Sequence, residues 1–137
     1  MKVLMIYANS FGYTPAVKSL PGFPDISEGK TFRDVQVVCV QVEEKDPERM
    51  KPLETKLVKL IKWAAKKNGT RKILLHSFAH LSESKAPPGI SKELFDRVET
   101  RLRNSDFQVE QTPYGYFLDL QLDAPGKSSA RIFKSLD

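Results

Sequence analysis

The sequence predicts a layered α/β (α+β) fold, a mixed β-sheet packed with two main helices, and three observations point there. Short runs rich in β-branched residues alternate with two stretches whose apolar residues recur every three or four positions. The last third of the chain holds two alternating apolar and polar segments on either side of Thr112-Pro113, as an antiparallel pair would. With 137 residues and 40% hydrophobic content, one domain with a substantial core is expected over 1–137.

Lys2 to Ala8 is a continuous apolar run and reads as a central strand. From 9 to 32, Asn9, Gly12, Pro15, Pro21, Gly22, Pro24 and Gly29 break every periodic pattern, which predicts a long loop. Asp34 to Glu44, with Val35, Val37, Val38, Val40 and Val42, predicts a strand buried on both faces. Pro47 to Asn68 predicts a helix: Leu53, Leu57, Leu60, Ile61 and Ala64 form one stripe, Pro52 falls in the first turn, and Asn68-Gly69 stops it. Its opposite face carries Lys56, Lys59, Lys62, Lys66 and Lys67, which fits either a solvated surface or contact with a phosphate backbone.

Ile73 to Leu75 predicts a short buried strand. Ser91 reads as the N-cap of a second helix with the stripe Leu94, Phe95, Val98, Leu102, closed at Asn104-Ser105. Strands follow at Phe107 to Gln111 and Gly115 to Leu122, with one more at Ala130 to Phe133.

The formal charge of +5 permits a nucleic-acid partner without requiring one. Cys39, the single cysteine, lies in an apolar run, so an intrachain disulfide is excluded and a buried thiol is expected. The terminus MKVLMIYA is too short in apolar residues for a signal segment or membrane span, so no membrane role and a cytoplasmic location are expected.

The most informative stretch is KILLHSFAHLSESKAPP, residues 72–88, which holds both histidines and turns from an apolar strand into a polar loop. Sheet edges of this kind, where a strand ends, are where α/β domains build their sites. His76 and His80 are four apart, but on a strand and loop this does not make a helical ligand pair, and no cysteine or paired carboxylate accompanies them, so no metal is expected. No Gly-x-Ser-x-Gly elbow and neither glycine-rich phosphate motif occurs. What remains is a slot whose donors are mainly main-chain groups, because Ser77, Ala79, Pro113 and Gly115 leave the backbone approachable. His80 reads equally as a hydrogen-bonding or a catalytic residue.

The segments MKVLMIYANSFGY, Val40-Gln41-Val42-Glu43, Ser77-Phe78-Ala79-His80-Leu81-Ser82 and Thr112-Pro113-Tyr114-Gly115-Tyr116-Phe117, in this order, resemble the amino-terminal editing domain of archaeal-type threonyl-tRNA synthetase, a relative of the D-aminoacyl-tRNA deacylases. The resemblance extends over essentially the whole chain. It implies a deacylase-like fold, hydrolysis of L-seryl-tRNA(Thr) without any cofactor, and a homodimer. It also implies that the chain is the N-terminal part of a longer synthetase or a trans-acting editing chain. The Ser-Gln-Phe-Thr and Gly-Pro motifs of the D-specific deacylases are missing, which sets D-aminoacyl-tRNA hydrolysis second; the lysine face leaves a non-catalytic tRNA-binding module as a third reading.

By the resemblance, backbone groups at Val42, Ser77, Ala79 and Tyr114 hold serine, with Phe78, Gly115 and Tyr116 completing the site. His80 and Phe117 lie against the terminal adenosine of the tRNA, and His80 with the backbones of Ala79 and Tyr114 assists catalysis. Phe117, Leu118 and Arg131 stand where relatives can carry Tyr, Lys and Glu. A backbone-lined pocket is untouched by those departures, whereas a mechanism built on a Lys or Glu side chain is not.

Overall fold

The structure, a computed structural model, describes residues Met1–Asp137. Its strands are β1 (Lys2–Lys18), β2 (Lys30–Gln41), β3 (Lys72–Ser77), β4 (Gln108–Gln111), β5 (Tyr116–Asp123) and β6 (Arg131–Ser135), and its helices α1 (Met50–Lys67) and α2 (Pro88–Arg103). They form one six-stranded mixed sheet in the order β4-β3-β2-β1-β5, with β6 also paired to β1. The expected α/β layered class, with its mixed sheet and two main helices, is the class observed.

The largest departure from expectation is β1. The expected loop from 9 to 32 is largely strand: β1 runs on to Lys18, β2 starts at Lys30, and only residues 19–29 connect them. The breakers are absorbed by position. Pro15 lies beside a bulge in the β1–β5 ladder, where the register shifts between Pro15 and Val17 and a missing N–H costs least. Gly12 sits where a Cβ would come within 3.3 Å of the Thr31 hydroxyl, so the residue that reads as a breaker makes room for a neighbouring strand. This length lets β1 pair β6 through Lys2–Ile6 and β5 through Ser10–Lys18 along one side while pairing β2 along the other.

Two smaller corrections concern helix starts. Helix α2 is capped at Pro87 and begins at Pro88, so Ser91 is a buried residue inside the helix rather than its N-cap. Pro88 fits the first helical position because its fixed φ and absent N–H suit an unpaired first turn. Helix α1 is preceded by a short 3-10 turn, Asp46–Arg49, with Met50 as its first residue.

Both helices cover one sheet face. Met1, Val3, Met5, Val38, Val40, Ile73, Leu75 and Val109 from the sheet pack with Leu53, Leu57, Val58, Ile61 and Phe95, Val98, Leu102 from the helices. A smaller cluster, Ala8, Phe11, Val35, Val37, Cys39 and Leu74, fills the other face. Alternate residues of β2 thus serve two cores, which is why the strand is apolar throughout. Burial pushes the Cys39 thiol up to about 12, an unreactive state.

Candidate functional site

Strands β2 and β3 are parallel, as are β3 and β4, so the C-terminal ends of all three meet at one edge of the sheet. There the chain leaves β3 at Ser77 and turns through Phe78, Ala79 and His80, while the β4–β5 connection brings Thr112 to Gly115 alongside. A cavity of about 470 Å³ opens between these segments. Val42, Ser77, Phe78, Ala79, His80, Tyr114, Gly115, Tyr116 and Phe117, every residue singled out from the sequence, line it together. Leu118 also lines it, whereas Arg131 lies on β6, donates to the Pro125 carbonyl and takes no part in the cavity wall.

Main-chain hydrogen bonds hold the wall segments in place. Phe78 N–H donates to the Val40 carbonyl at 3.2 Å and Ala86 N–H to the Val42 carbonyl at 2.9 Å, which fixes the two segments to the end of β2. By contrast, the N–H groups of Ala79, His80, Tyr114 and Gly115 donate to no acceptor within the chain. Ala79 and His80 are exposed and Tyr114 and Gly115 half-buried, so these four N–H groups are left to water or to an incoming oxygen.

The lining side chains have structural jobs. The Tyr114 hydroxyl donates to the Pro88 carbonyl at 3.1 Å, and its ring packs edge-on against Phe95. The Tyr116 hydroxyl accepts from Ile26 N–H at 2.8 Å, tying the 19–29 connection to the β5 end. Gly115 has φ of +86° and a Cβ there would meet Leu20 and Phe23 at 3.1 and 3.2 Å, while its carbonyl accepts from Ser19 and Leu20 N–H. Its bareness is therefore required by the neighbouring segment and the left-handed turn.

The two histidines differ sharply. His80 is exposed at the rim, stacked edge-on against Phe78 at 5.1 Å, with no hydrogen bond or ion pair to orient it. His76 is buried, with Nδ1 2.9 Å from the Thr112 hydroxyl, so it pins the end of β3 to the start of the β4–β5 connection. No carboxylate lines the cavity.

Sequence reasoning missed the residue that shapes the loop. Gln41, only 4% exposed, accepts from Leu81 and Ser82 N–H at 2.7 and 2.8 Å and donates to the Ser82 and Ser84 carbonyls at 2.7 and 2.9 Å. All the bonding capacity used runs to one loop, immediately after His80. A second strut stands beside it: the Ser82 hydroxyl donates to Glu43 at 2.6 Å, and Glu43 in turn holds the Met1 ammonium at 2.7 Å. The only available signal was a polar Gln inside an apolar strand. Ser19, Leu20 and Lys85 also line the cavity without having been anticipated.

Burial pushes the His76 imidazole down to about 4. Burial pushes the Glu43 carboxyl up, but hydrogen bonds from the Met1 ammonium and the Ser82 hydroxyl, with the charges of Met1 and Lys2, outweigh it and bring it to about 2. An unfolded histidine titrates near ~6.5, so between there and about 4 the unfolded chain takes up a proton that the folded one refuses, and stability falls with pH. The Glu43 contribution is complete above its ordinary 4.5 and is lost as pH drops toward 2. Urea titrations from pH 7.5 to 3.5 are expected to show this decline, with His76→Gln removing its upper part; a flat profile between pH 6.5 and 4 in the parent chain contradicts the assignment.

Parallel strand ends thus open into a cleft lined by residues 77–80 and 112–118 at one edge of an α/β domain. A solved structure titled "c-Myc DNA Unwinding Element Binding Protein" shares the fold, with a TM-score of 0.73 over 100% of this chain and 99% of that one at 11% identity. The model of the archaea-specific editing domain of threonyl-tRNA synthetase matches residues 1–136, and the chain belongs to that family. Among curated relatives, the threonine–tRNA ligases of Staphylothermus marinus, Thermococcus kodakarensis and Hyperthermus butylicus are 31%, 30% and 29% identical over 99%, 99% and 100% of the chain. The chain spans only 22%, 22% and 23% of their lengths. It is an editing domain by family, an aminoacyl-tRNA hydrolase whose work is tRNA proofreading. No helix is long and apolar enough to cross a membrane.

Proposed function

We propose that the domain hydrolyses L-seryl-tRNA(Thr) and spares threonyl-tRNA(Thr), working in the cytoplasm as part of a synthetase or in trans to one. The observation that carries this reading is the cavity wall: free N–H groups at Ala79, His80, Tyr114 and Gly115, and no carboxylate. An aminoacyl ester is already activated, so catalysis requires placement of water and stabilisation of the oxyanion that develops on the ester carbonyl. Main-chain N–H donors meet the second need. Water adds to the carbonyl carbon, the bond to the ribose oxygen breaks, and the water proton reaches that leaving oxygen through the neighbouring ribose hydroxyl of the substrate. His80, unoriented and exposed, rests against the terminal adenosine with Phe117 and assists without acting as the essential base.

A volume of about 470 Å³ accommodates the aminoacyl group and part of the adenosine. Serine and threonine differ by one methyl, which an apolar pocket separates by only ~1–3 kcal/mol. Refusal by rigid walls does better, and the segments at Val40, Val42 and Gly115 are anchored by main-chain hydrogen bonds that do not yield as side chains do. Incubation with seryl- and threonyl-tRNA(Thr) side by side tests the reading. Fast loss of serine alone is expected; equal loss of both esters, or loss of neither, overturns it, and preferential cleavage of D-aminoacyl esters would favour the D-specific deacylases.

The domain also pairs with a second copy in this reading. Strand β5 ends the sheet, and an apolar edge left open invites another strand. Leu120 and Leu122, on one face of β5, are 45% and 50% exposed. Sedimentation is expected to give a dimer mass that falls to the monomer in Leu120→Asp/Leu122→Lys; a monomeric parent chain contradicts pairing.

A further inference from the structure

We infer that the outer face of α1 is a docking surface for the phosphate backbone of the tRNA stem, an inference that rests on the reading of the cavity as a tRNA 3′-end site. The face is unusual in its charge balance. The one acidic residue of α1, Glu54, is turned toward α2 and held by Arg97 at 2.6 Å and Arg101 at 3.1 Å. Nothing on the helix therefore neutralises its lysines. Lys51, Lys59, Lys62 and Lys66 take part in no ion pair and no side-chain hydrogen bond, although seven other cationic side chains do find carboxylates.

Trp63 stands in the middle of that surface. At 48% exposed it is a large aromatic left in water, flanked in helical order by Lys59, Lys62 and Lys66, with the Lys67 ammonium 5.5 Å from its ring centre. The hydrophobic stripe of the helix is complete without it, since Leu53, Leu57, Val58, Ile61, Ala64 and Ala65 are the buried residues. A flat ring amid unpaired ammonium groups suits a ribose-phosphate chain: the lysines meet phosphates as point charges and the indole meets sugar or base faces. The surface extends onto the sheet edge, where Lys134 of β6 lies opposite Val3 on the face that α1 covers.

The direction of the helix supports an RNA stem. Helix α1 begins near the cavity end of β2 and runs back to the start of β3, against the direction of both strands. Over 18 residues its lysines thus trail about 27 Å away from the edge that holds the cavity. A stem whose unpaired 3′ end enters the cavity must likewise continue away from it, and a row of cations along that path needs no base recognition.

The test uses two substrates and the single tryptophan of the chain. Seryl-tRNA(Thr) offers the stem, and a seryl ester of adenosine offers the cavity alone. In Lys59→Gln/Lys62→Gln/Lys66→Gln, kcat/KM on seryl-tRNA is expected to fall about tenfold or more at physiological salt, its salt dependence becoming shallower by about 2–3 in log–log slope. Cleavage of the adenosine ester stays at the parental rate, which shows an intact fold and cavity. Trp63 fluorescence of the parent chain changes on adding uncharged tRNA and reverts with salt. Unchanged kcat/KM and slope in the triple variant overturn the surface, as they would if the lysines seated an acidic protein segment. A parent chain that cleaves neither substrate refutes the cavity reading instead; the fluorescence titration then judges the surface separately, and a silent Trp63 overturns it.

Discussion

Replacing the Ala79 peptide link by an ester, with lactic acid in place of alanine, is expected to slow seryl-tRNA deacylation by about 10²–10³-fold, the loss seen when one oxyanion donor is removed. The exchange deletes a single N–H and leaves the methyl side chain. It is informative because Ala79 N–H makes no intrachain hydrogen bond, so the fold loses nothing with it. The same exchange at Phe78, whose N–H supports the turn by donating to the Val40 carbonyl, should reduce stability as well as rate. Single-turnover deacylation and a urea midpoint separate the two. If the Ala79 ester cleaves seryl-tRNA at the parental rate, that N–H is not an oxyanion donor. By comparison His80→Ala should cost little, since nothing orients its ring.

Gln41→Ala is the substitution with the next largest effect. It strips acceptors from Leu81 and Ser82 N–H and donors from the Ser82 and Ser84 carbonyls, four contacts to one loop. With net hydrogen bonds near ~1 kcal/mol and unsatisfied buried groups at ~1–3 kcal/mol, a loss of roughly 2–4 kcal/mol follows, partly relieved where the loop opens to water. Such an opening releases the segment that carries Ala79 and His80, so deacylation should fall further than global stability. Hydrogen exchange at 81–84 reports the loop directly. Gln41→Glu retains the acceptor but not the donors and should lie between; a parental rate in Gln41→Ala would mean the loop holds its shape unaided.

The fold was legible in the chain wherever one physical signal acted alone. The stripe Leu53, Leu57, Ile61 fixes α1 by period, and the valines of β2 announce burial on both faces. Where signals conflicted, tertiary context decided. Gly12 and Pro15 are breakers on local grounds, yet β1 passes through both because β2 and β5 flank it and a bulge accommodates Pro15. Ser91 has the chemistry of a cap, but Pro88 starts the helix earlier and leaves Ser91 buried.

For the site, small residues beside a strand end were enough to mark Ser77, Ala79 and Gly115, since exposed backbone is a local property. Gln41 was not, because its importance lies in where residues 81–84 fold back, some forty positions away. Gly115 was marked for openness, whereas its conformation and the nearness of Leu20 and Phe23 supply the stronger reason.

The central claim is that peptide groups, rather than ionisable side chains, grip the amino acid. A crystal structure with a non-hydrolysable seryl-adenosine amide tests it most directly. The serine moiety is expected between the ends of β2 and β3 and the 112–115 connection, its carbonyl oxygen about 3 Å from main-chain N–H groups of Ala79 or Tyr114. An analogue seated elsewhere, or held there chiefly by the side chains of His80 and Lys85, would contradict it.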